Sequence, residues 1–326
     1  MILAGDVGGT NTRLALFEPA GKLGAPAELE IYPSRRYRHL ENIVRAFLAK
    51  KPRKISAACF GIAGPVKAGV CQASNLAWRV DSRRLAGELG LEAVALINDL
   101  EANAYGIETL GPEDFAELNA GEPEPGGNAA LISAGTGLGE AGLHWEGGHY
   151  RPVASEGGHV DFGPRNELEM ELLSFLRAKF GRVSYERVVS GPGLCGIYQF
   201  LRESGRAPEP AWLAERLKAD DPSAEISRAA LERKSELCAK ALDLFVSVYG
   251  SEAGNLALKF KATGGLYVGG GIAPKILPRL KDGDFMRDFS DKGRLSPLLK
   301  AIPVRVILND QAALRGAALR AQRPER

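Results

Sequence analysis

The stretch from residue 2 to residue 17, ILAGDVGGTNTRLALF, decides how the rest of the chain is read. Two apolar runs, residues 2–7 and 14–17, flank a turn of Gly, Thr and Asn, which is the pattern of a β-hairpin. Gly8 and Gly9 have no side chain, so their N–H groups are open to close approach by phosphate oxygens. Thr10, Asn11 and Thr12 add side-chain donors. Asp6 ends the first strand with a carboxylate suited to Mg²⁺, held directly or through water beside such a phosphate. The structural alternative is a hairpin tip whose Asp caps its own turn.

A related string recurs at residues 129–141, AALISAGTGLGEA, again an apolar strand, a Gly/Thr turn and an apolar continuation. Self-similarity at this separation points to two copies of one supersecondary unit. Two such hairpins facing one another across a cleft would hold the β- and γ-phosphates of a nucleotide. Neither is a GxxxxGK[ST] loop, in which the glycines lead into a helix and a Lys follows.

With 326 residues the chain exceeds the size at which one core stops growing, so two domains and a cleft are expected. A net charge of +2 gives no bulk attraction to nucleic acid or to a membrane surface. Arg35, Arg36 and Arg38 form the tightest basic cluster and read as a solvated loop. Cys59, Cys71, Cys195 and Cys238 are too scattered for a CxxC metal site and too few for a disulfide scaffold, so free thiols in a reducing cytoplasm are expected. No basic or apolar leader precedes Asp6, and no apolar run approaches a membrane span.

Taken in order, the first half alternates strands and helices: a strand at 23–32 that Pro26 confines to an edge or a bulge, an amphipathic helix through Leu40, Ile43, Val44, Phe47 and Leu48, and a buried strand at 55–62. A helix at 81–89 with Asp81 as N-cap and a strand at 93–97 follow. This is an α/β domain with helices packed on a sheet. A Pro/Gly loop at 119–128 separates it from the second hairpin. Beyond that we expect irregular structure at 149–162 and a helix at 167–180 that buries Leu168, Leu172, Leu173, Leu176 and Phe180. A long helical region at 223–260, interrupted near Gly250 or Gly254, comes next, then strands at 266–268 and 304–308 and a last helix from about Gln311.

Asn98 and Asp99 sit where a buried strand gives way to a helix, at the carboxyl end where α/β sheets present ligand sites. Asp99 can accept a proton from a hydroxyl attacking a γ-phosphate. Asn98 followed by Glu101 also has the spacing of a capping box. Residues 155–162, SEGGHVDF, gather Glu156, His159 and Asp161 around two glycines, acceptors and an imidazole suited to sugar hydroxyls. Glu186, in SYER, reads by itself as a first-turn acid opening a helix.

Together these strings identify the chain as resembling the bacterial glucokinase family of the actin-like ATPase superfamily, essentially from end to end. GDVGGTNTR resembles the first phosphate motif, ISAGTGLGEA the second and GGLYVGGGIAP the adenosine-side motif. LINDLEANAYGI resembles the catalytic-base segment, and EGGHVDF and SYERVVSGPG the sugar segments. The resemblance implies a two-domain actin-like, ribonuclease H-like α/β fold with mixed sheets flanked by helices and a central cleft. It divides the chain into a small domain, 1–109 with 304–326, and a large one, 110–303.

By the same resemblance, Asp99 is the general base on the sugar 6-hydroxyl, and Asn98, Glu156, His159 and Glu186 hold the other hydroxyls. Gly5, Asp6, Val7, Gly8, Gly9 and Thr10 line the phosphates, with Asp6 holding Mg²⁺, and Gly135, Thr136 and Gly137 close over them. Gly269, Gly270 and Gly271 lie near the adenosine. The implied protein is a cytoplasmic, homodimeric ATP-dependent glucokinase, with glucose and ATP as its partners and no nucleic acid or membrane.

Two departures stand out. Asn309-Asp310-Gln311 replaces an expected Pro and Gly, and Glu140 puts a carboxylate just after the second phosphate turn, where it must point away or help hold the metal. No Cys-rich zinc motif follows His159, which sets aside the related repressor and kinase branch. The rival readings are a kinase of another hexose or amino sugar, a non-catalytic sugar-responsive regulator and an actin-like ATPase.

Overall fold

The structure, a computed structural model, describes residues 1–19, 23–218 and 221–323. It forms two compact units: Met1–Asp114 with His149–Ala154 and the chain from Asn309 on, and Phe115–Gly148 with Ser155–Leu308.

In the first unit a mixed sheet runs in the order Glu28–Pro33, Asn11–Phe17, Ile2–Val7, Ala57–Ile62, Ala95–Asn98. Ile2–Val7 pairs antiparallel with Asn11–Phe17 and parallel with Ala57–Ile62. Successive side chains of a strand point to opposite faces, and the two faces bury different partners. Leu3, Val7, Leu14, Leu16 and Phe60 pack with Ile43, Val44 and Phe47 of helix Leu40–Lys50. Ile2, Ala4, Ala15, Phe17 and Ile97 pack instead with Leu314, Ala317 and Ala318 of helix Ala312–Gln322. Asp6 shares the parity of Ile2 and Ala4. It therefore falls on the face that also receives Ala102 and Tyr105 of helix Asp99–Gly106.

That helix is set by two glycines. A Cβ on Gly316 would run into the carbonyl of Ala102, and one on Gly106 into the carbonyl of Ala312. The last helix and helix Asp99–Gly106 thus touch backbone to backbone. Asp81 caps Ser82–Leu89 as its position predicts, accepting from the Arg83 N–H at 2.9 Å. Arg35, Arg36 and Arg38 are exposed.

In the second unit the strand order is Leu138–Glu146, Ala129–Ala134, Gly265–Gly269, Val304–Ile307, Phe115–Asn119. Ala130, Ile132 and Ala134 face a large core built from helices Glu167–Phe180, Gly191–Glu203, Pro222–Leu231 and Glu236–Phe260. Tyr249 anchors it, edge-on to Phe245 at 5.8 Å and to Phe285 at 5.5 Å. No helix among the described residues is long and apolar enough to cross a membrane, and the four cysteines are free.

Several local expectations need correction. The 223–260 region is two helices that break near Arg233 (φ 54°), and the second runs unbroken through Gly250 and Gly254. Those glycines serve packing: a Cβ on either would strike the carbonyl of Phe285 or Phe289. Phe180 is exposed, under the Arg187 guanidinium at 4.2 Å. Residues 149–154 form a strand, not irregular chain, and lack any buried side chain that would have shown its period. Glu186 lies in the 3₁₀ turn Tyr185–Arg187, and the helix begins later at Gly191, capped by Ser190. The small sheet Val66–Lys67, Val70–Gln72, Arg79–Asp81 and the strand Phe115–Asn119 gave no sequence signal.

Candidate active site

The first Gly/Thr turn is held by its own backbone and by one distant serine. The Gly8 N–H donates to the Asn11 carbonyl at 3.0 Å, so it closes the turn and is spent there. Ser34 is fully buried; its N–H donates to the Thr10 carbonyl at 2.9 Å and its hydroxyl to the Gly8 carbonyl at 2.8 Å. The Thr12 hydroxyl, 2.9 Å away, must then be the donor to Ser34 Oγ. Gly9 lies against Asn75, whose Cβ would be 2.6 Å from an added Cβ. Gly5 and Val7 face the Phe60 side of the sheet and serve packing there.

Asp6 lies on the other face. Burial pushes its carboxyl up to about 6, against the pull of Arg13 opposite it in the hairpin, and Asp99 and Asp310 push the same way as burial. Gly61, which pairs with Asp6 in the sheet, lies against the start of the next helix, where a Cβ on it would be 3.7 Å from the Asp99 Cα, so Asp6 and Asp99 are neighbours. Arg13 is itself held by Asp310, at 3.2 Å between side chains and 2.6 Å to the carbonyl. Asn309 donates to Asp114 at 2.9 Å and accepts from the Gln311 N–H at 2.8 Å. The departure at Asn309-Asp310 thus ties the last helix to the first hairpin. No group of three or more His, Cys, Asp or Glu among the described residues forms a metal cage. One carboxylate short of full ionisation nevertheless fits Mg²⁺, which takes most of its oxygens from phosphate and water.

Asn98 caps helix Asp99–Gly106 by accepting from the Leu100 N–H at 2.9 Å, and donates to the Gly64 carbonyl at 3.1 Å. Its amide keeps a second hydrogen for a ligand. Asp99 Oδ1 also accepts from the Leu100 N–H, at 3.0 Å, which sets the carboxylate at the positive end of the helix. Gly61 on the neighbouring strand lets the helix start come close, since a Cβ there would sit 2.7 Å from that of Ala102.

In the second unit the turn Gly135–Gly137 closes with a Gly135 N–H to Gly137 carbonyl bond of 2.9 Å. The Gly191 N–H donates to the Gly135 carbonyl at 2.8 Å, which brings helix Gly191–Glu203 onto the turn. Gly270, with φ of 84°, packs against Ala134, where no Cβ would fit, so the glycines at 269–271 meet the second Gly/Thr turn. Gly269 is buried in the strand and Gly271 is exposed. Beside them lies a cavity of about 320 Å³ lined by Leu194, Ser223, Arg228, Ile272, Lys275 and Ile276.

Glu156, His159 and Glu186 come together in this unit. His159 Nδ1 stands 3.8 Å from Glu156 and its Nε2 3.7 Å from Glu186. Both gaps exceed a direct hydrogen bond, so the imidazole is not locked onto either carboxylate. Glu186 Oε2 accepts from the Leu138 N–H at 3.0 Å, and an added Cβ on Gly137 would lie 2.5 Å from the same oxygen. One carboxylate thus braces the second Gly/Thr turn and stands 3.7 Å from the imidazole. Asp161 pairs with Arg182 at 2.7 Å. Glu140 is buried and turned inward toward Glu252, away from the turn it follows. Sequence reasoning missed Ser34 and the lining of the cavity beside Gly270, whose signal in the sequence was its adjacency to Ile272.

A family model described as glucokinase matches residues 3–324. The chain belongs to the glucokinase family. It is 46% identical to a glucokinase of Nostoc punctiforme, over 99% of both chains, and 38% identical to one of Yersinia pestis, over 97% of this chain and 94% of that one. Among solved structures, the glucokinase of an Antarctic psychrotroph superposes with a TM-score of 0.87 at 32% identity, covering 99% of each chain. The actin-like α/β fold of the sugar kinases is therefore the fold of this glucokinase-family chain. It carries Asp6, Asp99 and both Gly/Thr turns.

Proposed function

We infer that the chain is an ATP-dependent glucokinase that transfers the γ-phosphoryl group of ATP to the 6-hydroxyl of glucose, giving glucose 6-phosphate and ADP. The observation that carries the reading is Asp99 at a helix start beside Asp6 on one face of the first unit's sheet. Asp99 takes the proton from the 6-hydroxyl as its oxygen attacks phosphorus, a contribution of about 10²- to 10⁴-fold. Asn98, Glu156, His159 and Glu186 orient the remaining hydroxyls. The turns at Gly8–Thr10 and Gly135–Gly137 hold the phosphates, and the cavity beside Ile272 and Lys275 takes the nucleoside.

Mg²⁺ held at Asp6 supplies charge neutralisation for the transferring group. We further take the enzyme to be a cytoplasmic homodimer, each chain built from the two units described above, working without nucleic acid or membrane.

ADP release over a panel of hexoses with Mg²⁺ and ATP tests the reading. Turnover restricted to glucose is expected. Turnover on mannose or glucosamine alone would move the acceptor, and sugar-independent turnover would overturn the kinase in favour of an ATPase.

A further inference from the structure

Beneath the two turns of the second unit that carry His159 and Glu186 lies a polar cluster that the reaction as described does not use. Glu140 is 1% exposed and Glu252 fully buried, on the strand Leu138–Glu146 and helix Glu236–Phe260. Glu140 pairs across the hairpin with Ile132, so its side chain enters the helical core. Gly157 lies directly on Glu140 Oε2 from above, where a Cβ would collide. Glu252 accepts from Asn255 at 2.8 Å and from Lys259 at 3.0 Å. Asn255 reaches the hydroxyl of Tyr185, the residue before Glu186, at 3.2 Å. The cluster therefore runs from under the Gly157–His159 turn to the Tyr185–Arg187 turn.

Its hydrogen bonds close only one way. No described donor reaches either oxygen of Glu140. Two ionised carboxylates side by side in a core would repel and leave those oxygens bare. If one proton stays on the pair, a carboxyl O–H donates across it and the remaining charge is matched by Lys259. The other ionisable groups around the cluster are Tyr249 and Tyr185, both kept neutral by burial, with Arg165 and Lys292 farther out.

We propose that Glu140 and Glu252 share one proton and act together as positioning residues that hold the turns bearing His159 and Glu186. This rests on the reading of those turns as the sugar site. Burial and the neighbouring Glu252 push Glu140 up to about 8, so the shared proton leaves under mildly alkaline conditions and the pair comes apart.

The test measures KM for glucose, KM for ATP and kcat from pH 6 to 9.5 in the wild type, Glu140→Gln, Glu252→Gln and His159→Ala. The wild-type KM for glucose should rise about tenfold between pH 7 and pH 9, the loss of protonated fraction for a group titrating near 8. In Glu140→Gln, whose amide replaces the shared O–H donor and cannot ionise, that rise should vanish, with KM for ATP level in both. Glu252→Gln should flatten it as well and serves as the reading if Glu140→Gln does not fold. A glucose KM in both Gln variants that tracks the wild type across pH overturns the proposal while leaving the sugar site intact. A His159→Ala variant with unchanged glucose KM overturns the sugar-site reading and this inference with it.

Discussion

The hairpin of Ile2–Val7 with Asn11–Phe17 and the hairpin of Ala129–Ala134 with Leu138–Glu146 follow one plan, an antiparallel pair closed by Gly and Thr with a parallel strand beyond. They differ in what stands two residues before the first turn glycine. In the first it is Asp6, opposite Arg13; in the second it is Ser133, opposite Gly139. The turns are also pinned differently, the first by the neutral hydroxyl of Ser34, the second by the carboxylate of Glu186. One copy keeps a half-buried acid, the residue proposed to hold Mg²⁺. The other carries no acid before its turn and borrows one from the Tyr185–Arg187 turn. Under the proposed function, metal and base belong to the first copy, and Glu186 links the second turn to the residues proposed to hold the sugar.

Breaking the difference in charge should have the largest effect. Asp6→Asn is expected to lower kcat by about 10²- to 10³-fold, whereas Ser133→Ala should cost less than about threefold, measured at saturating Mg²⁺ and both substrates. Equal effects would erase the distinction. Breaking the brace of the second turn comes next. Gly137→Ala displaces Glu186, so KM for glucose should rise about tenfold together with KM for ATP, and a rise in only one would uncouple the brace from the sugar.

Ser34→Ala strips partners from the Gly8 carbonyl and the Thr12 hydroxyl inside the first unit. A loss of about 1–3 kcal/mol in denaturant unfolding is expected, with KM for ATP raised and KM for glucose kept. The last prediction is a pH-dependent one. Glu140 is favoured in its protonated form by the fold, so the stability it lends is present at low pH and lost as pH rises toward about 8. The Tm of Glu140→Gln should therefore gain on the wild type between pH 5 and pH 8. A constant difference between the two would mean that Glu140 ionises as it does in the unfolded chain.

Both hairpins, Asp99 at a strand end and the grouping around His159 were legible because each is written in consecutive residues. Their supports were not. Ser34 stands 26 positions from Gly8, Glu186 48 from Leu138, and Glu140 meets Glu252 through the sheet and helix that bury them. No local period encodes such pairs. The strand at residues 149–154 was invisible because none of its side chains is buried, and the helix Gly191–Glu203 because Gly-Pro-Gly reads as a turn when it is an N-terminus capped by Ser190. Gly250 and Gly254 misled in the opposite sense. A glycine inside a helix predicts a break from propensity, and here close packing against Phe285 and Phe289 outweighs it.

The most direct test of Asp99 as the base is single-turnover formation of glucose 6-phosphate by the wild type and Asp99→Asn, with glucose affinity measured alongside. The chemical step should slow by at least about 10²-fold while glucose binding stays within a few-fold. An unchanged rate in the variant would contradict the role given to Asp99 and, with it, the use of the first unit as the catalytic half.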